Sequence, residues 1–154
     1  MPTTQLLTAL VGLVIALAAH GALAADSEAR AWGALVYLGP GEVEGLKEPS
    51  PNFEAVRSRL GQVFPDHPKS TLIAQHTQEI FKEYESWVVP SKELYLKIDS
   101  RGRDESGGMR LDIQVWRDDK VLLKTNAVLS HERPLFVGGP KWRGGRLVFV
   151  IMLL

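Results

Sequence analysis

From Lys69 to the end of this 154-residue chain, apolar side chains recur mostly at every second position. That period belongs to β-strands, whose successive side chains point to opposite faces. The clearest case is residues 109–116, where Met109, Leu111, Ile113 and Val115 alternate with Arg110, Asp112, Gln114 and Trp116. Such a segment buries one face and wets the other, as strands of an antiparallel sheet do. Leu94, Leu96 and Ile98 alternate with Tyr95, Lys97 and Asp99 in the same way. Residues 71–80 can place Leu72, Ala74 and His76 on one side and Ile73, Gln75 and Thr77 on the other. Asp118 and Asp119 tolerate turn geometry and predict a hairpin into a strand over 121–129. Shorter strands are expected at 87–89, closed by Pro90, and at 135–137. Residues 147–154 are apolar at every position, too short a run for a helix to cross a bilayer. Their Val and Ile content predicts a strand covered on both faces, near the middle of a sheet.

Before Lys69 the pattern differs. Residues 31–38 are rich in aromatic and branched side chains and stop at Gly39, Pro40 and Gly41, which reads as a first strand. Ser50 followed by Pro51 is a helix start: the hydroxyl can accept from a free backbone N–H, and proline at the first helical position loses no bond. Phe53, Val56, Leu60 and Val63 or Phe64 then form one apolar stripe, which Pro65 ends. Residues 42–49, 81–86 and 101–108 are polar and predict loops or bends. The expected fold is one α+β domain over 25–154, a mainly antiparallel sheet of about six to seven strands with one helix packed on a face.

The first 24 residues have a different character. Residues 2–25 carry no Lys, Arg, Asp or Glu, and 6–19 are almost unbroken apolar residues. Ala22, Leu23 and Ala24 supply the small-residue pattern of signal-peptide cleavage, which predicts a leader removed after Ala24. The run is short of the ~20 residues a membrane-spanning helix needs. A retained anchor and a buried helix are the competing readings. The first basic side chain is Arg30, so the usual positive n-region is missing. Cleavage implies a periplasmic or secreted domain with no stable membrane insertion. With no cysteine, the chain has neither a lipoprotein anchor nor a disulfide scaffold, so the domain must hold by packing alone.

Charge and motifs narrow the function classes. The 18 basic and 18 acidic side chains balance, leaving no long-range field to gather nucleic acid. His67, His76 and His131 never pair at ligand spacing, so no metal site is expected. His76 reads as a satisfied, partly buried imidazole, and Asp66 and His67 as an exposed turn between Pro65 and Pro68. No serine sits in a G-x-S-x-G elbow, and neighbours such as Ser130, His131 and Glu132 would diverge rather than converge. Paired carboxylates such as Glu83 with Glu85 or Asp118 with Asp119 lie in polar stretches that do nothing to raise a pKa. Neither a catalytic residue nor a cofactor is implied.

Residues 138–145 stand out as a glycine-rich loop holding Lys141, Trp142 and Arg143, with Arg146 just beyond. Cations beside an aromatic ring can bind a phosphate, a sugar face or a carboxylated peptide. The competing reading is a glycine-rich connection with Trp142 folded back on the sheet. Trp116 falls on the polar phase of its strand, where it either anchors a partner or glycan or covers a second, smaller core or a strand edge. The segments around Trp87, Pro90 and Ser91 and around Gly138, Gly139 and Pro140 resemble those of small exported bacterial proteins without assigned activity. These share a helix, a W-x-x-P-S-like segment and a G-G-P loop before a final apolar strand. The resemblance implies no activity and transfers no functional residue. The expected function is a non-enzymatic exported domain that binds a protein or an envelope glycan, through a sheet edge or the Trp142 loop. The alternatives are an envelope hydrolase whose site is assembled only by the fold, and a membrane-tethered subunit of an export or surface assembly.

Overall fold

The structure, a computed structural model, describes residues 29–48, 50–80, 86–89, 91, 92 and 94–154. The expected leader over 1–24, its cleavage point, Pro90 and all of the 81–86 bend except Ser86 lie outside the described residues. Strand β1 (Ala29–Leu38) leads to helix α1 (Pro51–Val63). There follow β2 (Ser70–Ile80), β3 (Ser86–Val89), β4 (Tyr95–Arg103), β5 (Met109–Arg117), β6 (Lys120–Leu129), β7 (Leu135–Trp142) and β8 (Gly145–Leu153). They form two four-stranded sheets, β2-β1-β8-β7 and β3-β4-β5-β6, in which every pairing is antiparallel. Antiparallel strands with one helix on a face are thus what the described chain has, with eight strands shared between two sheets.

The layering follows from side-chain phase. On β1, Trp32, Ala34, Val36 and Leu38 face one way and, with Val148 and Val150 of β8, pack against Phe53, Val56 and Leu60 of the helix. Ala31, Leu35 and Tyr37 face the other way with Leu147, Phe149, Ile151 and Leu153. They meet Leu96 and Ile98 of β4 and Met109, Leu111, Ile113 and Val115 of β5. The first sheet is therefore a middle layer between helix and second sheet, and its central strands are apolar in both phases for that reason. Residues 147–153 fill the covered central position expected of them.

Helix α1 starts where its sequence says. Ser50 Oγ accepts from the Phe53 N–H at 3.2 Å, and Pro51 occupies the first turn. Phe64 rather than Val63 continues the apolar stripe: Phe64 meets Phe136 edge-to-face at 6.5 Å, while Val63 is 52% exposed. Burial of Phe53, Val56 and Leu60 contributes about 1.5–3 kcal/mol each, which fastens a helix too short to be stable by itself.

Two local expectations are corrected. In β2 the alternation breaks, because the β1–β2 register shifts between Leu35 and Val36, leaving Ile73 as the extra residue. Leu72 stays on the helix side while both Ile73 and Ala74 pack toward the inter-sheet core, so Leu72 and Ala74 do not share a face. Residues 138–145 are not a loop. β7 runs to Trp142, β8 begins at Gly145, and only Arg143 and Gly144 turn the chain. Both turn residues have positive φ, 47° and 77°, the left-handed geometry that two-residue hairpins require and that glycine adopts without strain. The ladder is interrupted between Gly138 and Lys141, which is how Gly139 and Pro140 are accommodated in a strand.

Candidate functional site

The β7–β8 hairpin tip is held from beneath by a residue far away in sequence. Tyr37 is buried in the inter-sheet core, and its hydroxyl donates to the Arg143 carbonyl at 2.9 Å, a contact spanning 106 positions. Its ring meets Trp142 edge-to-face at 5.5 Å. The Arg143 guanidinium lies 4.4 Å from the centre of the Trp142 ring, a cation–π contact worth about 0.5–1 kcal/mol at an exposed site. Trp142 is half-buried and packs against the inter-sheet core, so it does fold back on the sheet. Arg146 donates from Nε to the Gly139 carbonyl at 3.2 Å, which leaves the rest of its guanidinium for a ligand.

The Trp142–Arg143 pair forms a wall shared by two clefts. One, of about 660 Å³, is lined by Lys141, Trp142, Arg143 and Arg146, and by Asp66 and His67 from the segment after α1. The fold thus brings all four sequence-predicted residues to one depression. Three cations against the single carboxylate of Asp66 make it an anion-accepting surface, and Arg143 and Arg146 offer planar N–H groups suited to carboxylate or phosphate oxygens. The other cleft, of about 450 Å³, is more mixed: Leu46, Ile73 and Ala74 with Glu44, Ser91 and Lys92. Ser91 is tied into its own turn, where its hydroxyl donates to the Leu94 carbonyl and accepts from the Leu94 N–H at 3.0 Å.

Sequence reasoning missed Tyr37 and the cleft role of Asp66 and His67. No local signal could have revealed them. Tyr37 sits in a strand that reads as pure core, and Asp66 and His67 read as a solvated turn until β8 brings Arg146 beside them. Elsewhere, Trp116 stacks on Tyr95 at 5.8 Å with nearly parallel rings and donates from Nε1 to Gln114 Oε1 at 3.1 Å. It covers the outer face of the second sheet as half of an aromatic pair. His76 is half-buried, with Nε2 3.4 Å from Gln78 Oε1.

Among the described residues no group of three or more His, Cys, Asp or Glu side chains stands close enough to hold a metal ion. No described helix is long and apolar enough to cross a membrane. No protein-family model, curated protein or solved structure matches this chain.

Proposed function

We propose that this is an exported, periplasmic domain that binds an anionic group of a cell-envelope component in the cleft at the β7–β8 hairpin tip. The observation that carries this reading is convergence. Lys141, Arg143 and Arg146 line one cleft; the Trp142 ring holds the Arg143 guanidinium, and the Tyr37 hydroxyl fixes the Arg143 backbone beneath it. A cation held this way loses less side-chain freedom on binding, so more of the interaction energy appears as affinity. The leader pattern over 1–24 supplies the compartment, and the balanced net charge confines attraction to this local patch.

The hydrolase alternative has less support from the same geometry. Asp66 and His67 line the cleft, but among the described residues no serine, threonine or cysteine lines it beside them. A titration of a uronic-acid oligosaccharide, followed by amide shifts, tests the binding reading. Shifts should centre on residues 141–146 and on His67, and should weaken as salt rises. Replacing Lys141, Arg143 and Arg146 together by alanine should reduce affinity about tenfold or more, given ~1.5–3 kcal/mol per charged hydrogen bond. All three are exposed, so the fold should persist. Affinity unchanged in that variant removes the cleft as the site.

A further inference from the structure

The second sheet ends in a strand whose open edge differs from those of β3 and β7 in length and composition, and from that of β2 in its exposed apolar residues. β6 pairs with β5 alone and leaves its other edge open over ten residues, with neither proline nor glycine in it. By contrast β3 is four residues long and β7 carries Pro140. Edge strand β2 is eleven residues long, but none of its described side chains is a large exposed apolar one. β6 has one register shift, which leaves Leu122 as its extra residue. Residues 120–126 are all exposed. Of the large apolar side chains exposed on the described chain, four lie on this strand: Val121, Leu122, Leu123 and Val128, between 36% and 46% accessible. A long open edge bearing apolar residues is a template for another strand.

The space beside β6 has a definite shape. The two sheets part between β6 and β7, leaving an apolar cleft of about 260 Å³ lined chiefly by Ile113, Leu123, Ala127, Leu135, Phe136 and Val137. Leu123, Thr125, Ala127 and Leu129 pair with the inward residues Val115, Ile113, Leu111 and Met109, so this phase of β6 faces the core side. A strand added beyond β6 would seat every second side chain over that cleft. Its other side chains would lie on the outer face, beside Lys124 and Asn126. Lys120 and Lys124 are the only charges on β6, and neither is in an ion pair among the described residues. Asp118 and Asp119 stand in the turn before Lys120, and Asp112 on the outer face is held by Arg101 at 2.8 Å.

We propose that β6 is a docking edge for an extended segment of a partner protein in which apolar residues alternate with aspartate or glutamate. The apolar phase enters the β6–β7 cleft, the acidic phase meets Lys124 on the outer face, and backbone pairing supplies the remaining affinity. Charge selects this occupant over a second copy of the chain. Antiparallel self-pairing about the middle of the strand would set Lys124 near the Lys124 of the other copy, a like-charge contact of the kind by which edge lysines discourage self-association.

The test is amide-shift titration of the protein with two synthetic peptides as long as β6, one alternating glutamate with valine and one alternating lysine with valine. The acidic peptide should shift and protect the amides of β6 and shift residues 135–137, and it should bind about fivefold more tightly than the basic one, because a glutamate beside Lys124 takes the place of a like charge. Lys124→Glu, a change at an exposed position, should reverse that preference. Leu123→Glu should weaken the acidic peptide by a similar factor. The proposal is overturned by equal binding of both peptides, by shifts confined to the hairpin tip, or by no binding. Concentration-dependent protection of β6 without peptide also overturns it, because the occupant would then be a second copy.

Discussion

Gly33 lies on β1 where β3 of the second sheet comes closest. A Cβ placed there would stand 2.2 Å from Val89 Cγ2, well inside contact distance. The absent side chain is what lets the two sheets close at this point, and Val89, fully buried, fills the space. Gly33→Ala should therefore destabilise by about 1–3 kcal/mol through overpacking, read from urea unfolding. Adding Val89→Ala should recover part of that loss, because the two positions share one space. Strictly additive losses would show that the strain lies elsewhere.

Among the connections between elements, the β4–β5 turn is built around one carboxylate. Asp104 Oδ1 accepts from the Ser106 N–H at 3.0 Å, the Ser106 hydroxyl at 2.7 Å and the Gly108 N–H at 2.8 Å. The Ser106 hydroxyl is the main influence holding the Asp104 carboxyl below its ordinary value. The two backbone N–H groups and Arg110 add to it, and partial desolvation opposes. Because the folded value is depressed, the ionised form is favoured in the folded turn. Its contribution is complete above the ordinary Asp value of about 3.9 and fades as pH falls through the lower, folded one. The Ser106 and Gly108 amides should keep their exchange protection from neutral pH down to mildly acid conditions and lose it only below that range. A carboxyl carbon titration placing the Asp104 midpoint at or above the ordinary value would contradict this account.

For the whole molecule, the decisive feature is that one sheet serves two cores. β1 and β8 contribute one face to the helix cluster and the other to the inter-sheet cluster, so each core shares a wall with the other. With no cysteine to hold parts of the chain together, unfolding should be a single transition, identical by backbone and aromatic circular dichroism and unaffected by reductant. Phe53→Ala on the helix side and Phe149→Ala between the sheets should each cost about 3–5 kcal/mol and lower that same transition. Two separated transitions in either variant would show that the layers are independent.

How much of this was legible beforehand depends on the range of each interaction. The alternation over 109–116, the Ser50 cap with its stripe of Phe53, Val56 and Leu60, and the apolar run from Leu147 each report what one residue prefers for burial. That preference is written locally, and the elements formed where it pointed. The division into two sheets was not legible, because it depends on which strands pair: β1 chooses β8, more than a hundred residues away, and period two is the same whichever partner is chosen. Residues 138–145 misled for a related reason, since glycine and proline argue for a loop until β8 provides a ladder and a bulge to hold them. The candidate cleft lies between these cases. Lys141, Trp142, Arg143 and Arg146 were visible as neighbours in sequence, but Tyr37, Asp66 and His67 join them only in three dimensions. The sequence by itself determined the elements and their buried faces, since burial preference belongs to single residues. Strand partners, the open β6 edge and the cleft walls were decided by the tertiary structure, because they are pairwise contacts between distant parts of the chain.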